Sequence, residues 1–107
     1  MNYILVMTTT PDYISAREIA KHIVSKKLCA CVNIIPTCLS IFEWNDEIQE
    51  NNEVIMLIKT METRFDELVI EIKKPHTYDL PEIIKINISD GDNDYLRWIQ
   101  DKVKINM

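Results

Sequence analysis

His76, Tyr78, Asp79 and Glu82 stand in one short stretch, His76-Thr77-Tyr78-Asp79-Leu80-Pro81-Glu82-Ile83-Ile84, with Pro75 just before it. An imidazole, a phenol and two carboxylates so close together can bind a metal ion or move protons. Pro75 and Pro81 restrict the backbone, so the side chains between them are held ready. His76 is the leading metal candidate, because imidazole is the commonest side-chain ligand for transition metals. One histidine binds weakly; three symmetry copies of it, or Asp79 or Glu82 beside it, would bind better. The competing role for His76 is a hydrogen bond across a subunit interface. A second stretch, Ala30-Cys31-Val32-Asn33-Ile34-Ile35-Pro36 running into Ser40-Ile41-Phe42-Glu43-Trp44, also joins an apolar run to polar and aromatic residues.

Two further patterns could hold metal. Cys29-x-Cys31 would place two sulfurs on one strand face, about 6.6 Å apart along the backbone, and soft thiolates suit Cu(I). Free cysteine, however, mostly behaves as a small buried hydrophobe. Asp90-Gly91-Asp92-Asn93-Asp94, with Asp101 at the twelfth place, imitates a calcium loop. Its sixth place holds Tyr95, where the sharp turn requires glycine, so helix capping accounts better for these acids. Gly91 is the only glycine. That excludes a phosphate-cradling loop, a dinucleotide fingerprint and a nucleophile elbow.

Composition sets the wider bounds. A chain of 107 residues, 47% of them apolar, builds one domain, 1–107, with a real core. The net charge of −5 is spread along the chain, and only Lys26-Lys27 and Lys73-Lys74 form basic groups, so no nucleic-acid partner is expected. No apolar run is long enough to span a membrane, and the N-terminus does not read as a signal peptide. Three cysteines without a C-x-x-C spacing imply reduced thiols, and a cytoplasmic location is expected.

The elements that must position these groups follow from periodicity. Tyr3 to Thr9 reads as a strand apolar on both faces. Thr10-Pro11-Asp12 starts a helix, with the Thr10 hydroxyl as cap, that runs to about Lys27 along Ile14, Ile19 and Ile23. Cys29 to Trp44 is a long strand, bent or bulged near Pro36. Asn45-Asp46 makes a two-residue turn into a strand from Ile48 to Thr60. Thr63 with Asp66 resembles a capping box for a helix with the stripe Phe65, Leu68, Val69 and Ile72. Ile83 to Ile88 is the fourth strand. A last helix, capped within Asp90 to Asp94, carries Leu96, Ile99 and Val103. This order is the ferredoxin-like βαββαβ pattern, an α+β sandwich with a long β-hairpin and a C-terminal helix. Two helices cover only one face of such a sheet, and the long hairpin has free edges, so a homo-oligomer is expected.

The chain is similar to the CutA family of divalent-cation-tolerance proteins. The matching residues are Thr9-x-Pro11-Asp12, the two stretches quoted above, Glu53, Ile58-Lys59-Thr60, and Ile88-x-x-Gly91-x-x-x-Tyr95-Leu96-x-Trp98-Ile99. The resemblance implies a ferredoxin-like fold, a tight trimer shaped like the PII signalling proteins, and a role in tolerance to copper and other divalent metals. It also implies an inter-subunit ligand cleft around Trp44, Glu53, Lys59, Tyr78 and Glu82; the same residues would otherwise serve as interface anchors. Family members commonly have His-Pro-Tyr where this chain has His76-Thr77-Tyr78, and often a hairpin glycine where it has Asn45-Asp46. Some bacterial members carry a copper-binding cysteine at the end of the first strand and a histidine pair in the later loop. Here those positions hold Thr8, Pro75 and His76.

The expected function is therefore a homotrimeric cation-tolerance protein that binds copper or another divalent cation, or responds to it, with no cofactor required for folding. The alternative is a PII-like module with a small metabolite in the inter-subunit cleft. Glu82, His76 and Tyr78 could do acid–base chemistry, but without a recognisable nucleophile–base pair the chain is not expected to be an enzyme.

Overall fold

The computed structural model describes residues 2–103. Strand β1 (Tyr3–Thr10) leads into helix α1 (Tyr13–Ser25). Strands β2 (Cys31–Trp44) and β3 (Glu47–Met61) form the long hairpin. A 3₁₀ turn (Glu62–Arg64), helix α2 (Phe65–Lys73), strand β4 (Ile83–Ile88) and helix α3 (Asn93–Lys102) complete the chain. The sheet runs β2-β3-β1-β4, antiparallel throughout. β1 and β3 are thus the central strands, as their two-sided apolar sequences require.

Strand alternation gives the sheet two unlike faces. Ile4 and Val6 of β1, with Val54, Met56 and Ile58 of β3, meet Ala16, Ile19 and Ile23 of α1 and Leu68 and Ile72 of α2 in the main core. Fully burying each such side chain contributes about 1.5–3 kcal/mol. On the other face α3 covers one end, where Ile99 and Val103 pack with Met61, Tyr3 and Leu96. The rest of that face, Leu5, Met7, Ile55 and Leu57 with Ile84 (45% exposed) and Ile86 (47%), has no layer over it among the described residues. No helix among the described residues is long and apolar enough to cross a membrane.

Local chemistry sets the boundaries. The cap of α1 is Asp12, whose carboxylate accepts from the Ser15 N–H at 2.7 Å, and not Thr10, whose hydroxyl donates instead to the Asp12 carbonyl. The helix also stops short of Lys27. Lys27 turns left-handed at φ 59°, and the Leu28 N–H returns to the Ile23 carbonyl while the Lys27 N–H reaches that of Val24. This is a Schellman ending built on lysine where glycine is usual. Thr63 does not cap α2; the chain enters it through the 3₁₀ turn with no side-chain cap. Asn45 and Asp46, at φ 53° and 64°, make the expected hairpin turn. Asp92 caps α3, accepting from the Tyr95 N–H at 3.0 Å, so the acidic run there is a helix start.

The bulge falls where Pro36 suggests. Ile35 pairs with Ile55, but Cys38 pairs with Glu53, so β2 carries one extra residue between them. The faces of β2 swap at that point. Before it, Cys31, Asn33 and Ile35 share the open face with Leu57 and Ile55; beyond it, Cys38, Ser40, Phe42 and Trp44 do so, opposite Glu53, Asn51, Gln49 and Glu47.

Candidate functional site

The loop between α2 and β4 is tied to the sheet at two points. The His76 ring lies 2.8 Å from the Thr9 carbonyl through Nε2, and the Tyr78 N–H points at Nδ1 at 3.2 Å. A carbonyl only accepts and an N–H only donates, so the ring is the Nε2–H tautomer with both nitrogens engaged. At the second point the Tyr78 hydroxyl donates to Glu53 Oε2 on β3 at 2.7 Å. The two rings lean together, centroids 4.9 Å apart. Burial above all, and then the bond to Glu53, push the Tyr78 phenol well above its ordinary range, so it stays a protonated donor.

Between this loop and the overhanging hairpin lies an open groove of about 840 Å³. Phe42, Trp44, Gln49, Asn51 and Glu53 line its hairpin side; Tyr78, Leu80 and Glu82 line its loop side. The bulge is what brings Phe42 and Trp44 onto this side. Trp44 is 47% exposed although it is a large aromatic residue. Among the described residues the lining holds four carboxylates, Glu43, Glu53, Asp79 and Glu82, and no basic side chain. Glu53 is only 8% exposed, with Oε2 occupied by Tyr78 and Oε1 without a hydrogen bond among the described residues.

The expected cleft residues therefore separate. Trp44, Glu53, Tyr78 and Glu82 come together; Lys59 does not join them within the chain. Six residues along β3 from Glu53, it is about 20 Å away, with its ammonium 5.5 Å from the centre of the Tyr95 ring. The cysteine pair also separates: Cys29 precedes β2, is buried in the main core, and burial pushes its thiol up to about 12. Such a thiol is packing, not a ligand. Cys31 and Cys38 are half-buried free thiols. Thr8, where the resemblance implied a copper-binding cysteine in some bacterial members, is fully buried on the helix-covered face. Among the described residues no three of His, Cys, Asp or Glu converge closely enough to hold a metal ion. The donors of one chain thus do not fit a ready-made divalent-metal centre.

Two features escaped the sequence reading. Phe42 belongs to the groove wall, and its i, i+2 relation to Trp44 on one strand was the available signal. The other is Glu71, 5% exposed on α2, which receives His22 Nε2 at 2.8 Å, Lys26 Nζ at 3.1 Å and Lys74 Nζ at 2.7 Å. These bonds, Lys74 foremost, then His22 and Lys26, hold its carboxyl down at about 2. Only the Lys74 partner, at i+3, was readable from the chain.

The α+β fold, with this sheet order and a long bulged hairpin, is shared with known proteins. The family model for CutA1 divalent ion tolerance protein matches residues 4–102. The Divalent-cation tolerance protein CutA of Thermus thermophilus is 39% identical over 97 residues, covering 91% of this chain and 94% of that one. The chloroplastic Protein CutA of Arabidopsis thaliana is 35% identical over 101 residues, covering 94% of this chain but 56% of its own length. The crystal structure of CutA1 from Oryza sativa superimposes with a TM-score of 0.96 at 35% identity, covering 99% of this chain and 97% of that one. The chain belongs to the CutA1 divalent ion tolerance family.

Proposed function

We propose that this chain acts in divalent-cation tolerance as a homotrimeric binding protein rather than an enzyme, with the groove beside the β2–β3 hairpin as its working surface. The observation that carries the reading is the groove's charge: four carboxylates and no basic side chain among the described residues, in a chain that belongs to a cation-tolerance family. Such a surface concentrates cations. The trimer is supported by the open sheet face of Leu5, Met7, Ile55, Leu57, Ile84 and Ile86, too apolar to remain wet. Copper or zinc would use the rim carboxylates, with His76 joining only if Nδ1 gives up the Tyr78 N–H. A cytoplasmic location is part of the proposal and rests on the three free thiols; the Arabidopsis relative is named chloroplastic.

A second reading, a PII-like module taking a small metabolite, is favoured by one observation. The groove has room for an organic molecule but no three convergent ligands for a bare ion. Light scattering at micromolar concentration should report three times the 12.6 kDa chain mass. Calorimetric titration with Cu²⁺ and Zn²⁺ should show binding that weakens in Glu82→Ala and His76→Ala. A monomer mass, or metal binding indifferent to both substitutions, overturns the first reading.

A further inference from the structure

We propose that the cleft between α1 and α2, on the outer side of the molecule, binds a phosphate monoester, with the phosphate on Lys26 and Lys74 and the organic arm along Ile19 and Pro75. This is a second site, and it stands whether or not the hairpin groove is the working surface. The chain has only two adjacent basic pairs, Lys26-Lys27 and Lys73-Lys74, against a net charge of −5. The fold brings one lysine of each pair onto a single carboxylate. Lys26 Nζ lies 3.1 Å from Glu71 Oε1, and Lys74 Nζ lies 2.7 Å from Oε2. A cavity of about 450 Å³ opens there, lined also by Ser15, Glu18, Ile19, His22 and Pro75. It lies on the helix-covered side of the sheet, opposite the open face through which the subunits are proposed to meet, so partners on that face do not complete its lining.

These two lysines differ from ordinary surface lysines. A free ammonium is mobile, and whatever binds it must order its long stem at a cost in rotamer freedom. Glu71, only 5% exposed, already holds both ammonium groups from beneath. Such preorganisation lowers what a ligand must supply. Each ammonium has three N–H donors and gives one to Glu71, which leaves two apiece for a second anion. Charge then selects the class. Glu71 is matched by Lys26, Lys74 and His22 Nε2, the last at 2.8 Å, so Glu18 is the one lining carboxylate left to attract a cation. That cation would have to sit beside two ammonium groups. Glu18 also stands eight residues before Lys26 on α1, about 12 Å along the helix axis. Lys27 and Lys73, outside the lining, add long-range attraction for an anion. A phosphate offers more acceptor oxygens to four N–H groups than a carboxylate does. It would fill only part of the cavity, and Pro75 with the edge of Ile19 gives an apolar arm a surface to lie on.

The test follows the full chain by NMR at constant pH. The His22 ring signals, assigned through His22→Gln, report on this cleft, and the Trp44 indole signal reports on the hairpin groove. The probes are phenyl phosphate, inorganic phosphate and, at matched ionic strength, sodium chloride. Phenyl phosphate should move the His22 signals saturably and leave Trp44 in place. Inorganic phosphate should do the same about fivefold more weakly, and chloride should not. Lys26→Ala and Lys74→Ala should each weaken phenyl phosphate by about five- to tenfold. Lys73→Ala, outside the lining, should weaken it about twofold at most. An equal response to chloride, a shift at Trp44 and not at His22, or affinity unchanged in both Lys26→Ala and Lys74→Ala overturns the proposal. Equal affinity for the two phosphates overturns the organic arm and keeps an oxyanion site. Silence to both phosphates overturns the site and leaves the lysines as ties between the helices.

Discussion

Glu71 and Glu53 are buried to nearly the same degree, and the protein treats them in opposite ways. Glu71, on the helix-covered side, is surrounded by His22, Lys26 and Lys74, three possible cations on one carboxylate. Glu53, on the open side, has a single neutral donor. Removing a carboxylate from water is costly unless its charge is matched. At Glu71 the match comes from inside the chain, and the group serves to tie α1 to α2. At Glu53 it does not, and the balance is left to something the chain does not itself provide. The same contrast holds for the whole sheet: among the described residues one face is closed by α1 and α2, the other only at the α3 end.

Substitutions on adjacent residues of β3 should break this contrast most strongly. Ile58→Ala, on the closed face, should cost about 2–5 kcal/mol of folding stability in urea titration, with the oligomer mass unchanged. Leu57→Asp, one residue away on the open face, should instead yield monomer by light scattering. If both give the same phenotype, the two faces are not distinct in role. Next in size is Tyr78→Phe, which strips Glu53 of its one partner and should cost roughly 1–3 kcal/mol. Lys74→Ala should cost far less, since His22 and Lys26 remain on Glu71; similar losses in the two variants would erase the comparison.

Acid unfolding sharpens it further. The Glu71 carboxyl titrates near 2 in the fold against an ordinary 4.5, with Lys74 the main cause. A lowered carboxyl stabilises the fold above the unfolded value, and that contribution disappears as pH falls from about 4.5 towards 2. Glu71→Gln should therefore lower the thermal midpoint at pH 6, and the two curves should converge near pH 2. The smallest effect concerns Lys27. Replacing this left-handed residue by glycine should raise stability by about 1 kcal/mol, visible as a higher urea midpoint, with no change at the groove.

Local signals account for what was readable beforehand. The succession of strands and helices along the chain, the Asn45-Asp46 turn and the Pro36 irregularity all depend on near neighbours, and each was legible from residue type and spacing. Helix starts were half legible. Asp12 and Thr10 are both good capping residues, and only the three-dimensional path decides which oxygen meets the Ser15 N–H. Groupings across the fold were the least legible. Nothing in the chain says that His22 reaches Glu71, or that Tyr78 reaches Glu53. Family resemblance grouped Lys59 with Trp44, but strand rise alone separates them within one chain. Cys29 looked like half of a ligand pair because alternation was counted through it, although β2 begins only at Cys31.

The extra residue in β2 also sets how this hairpin can change length. The bulge places two residues of β2 opposite one of β3, and so takes up an odd residue that would otherwise set the two halves of the strand on opposite faces. Losing Thr37 would leave Ile35 opposite Ile55, Pro36 opposite Val54 and Cys38 opposite Glu53, a ladder with no bulge and with Phe42 and Trp44 still on the groove wall. A second loss in the same stretch would find no extra residue to absorb it, and the strand could then keep only one of its halves in register. The irregularity is thus a reserve of one residue, held where the strand passes from the sheet to the groove.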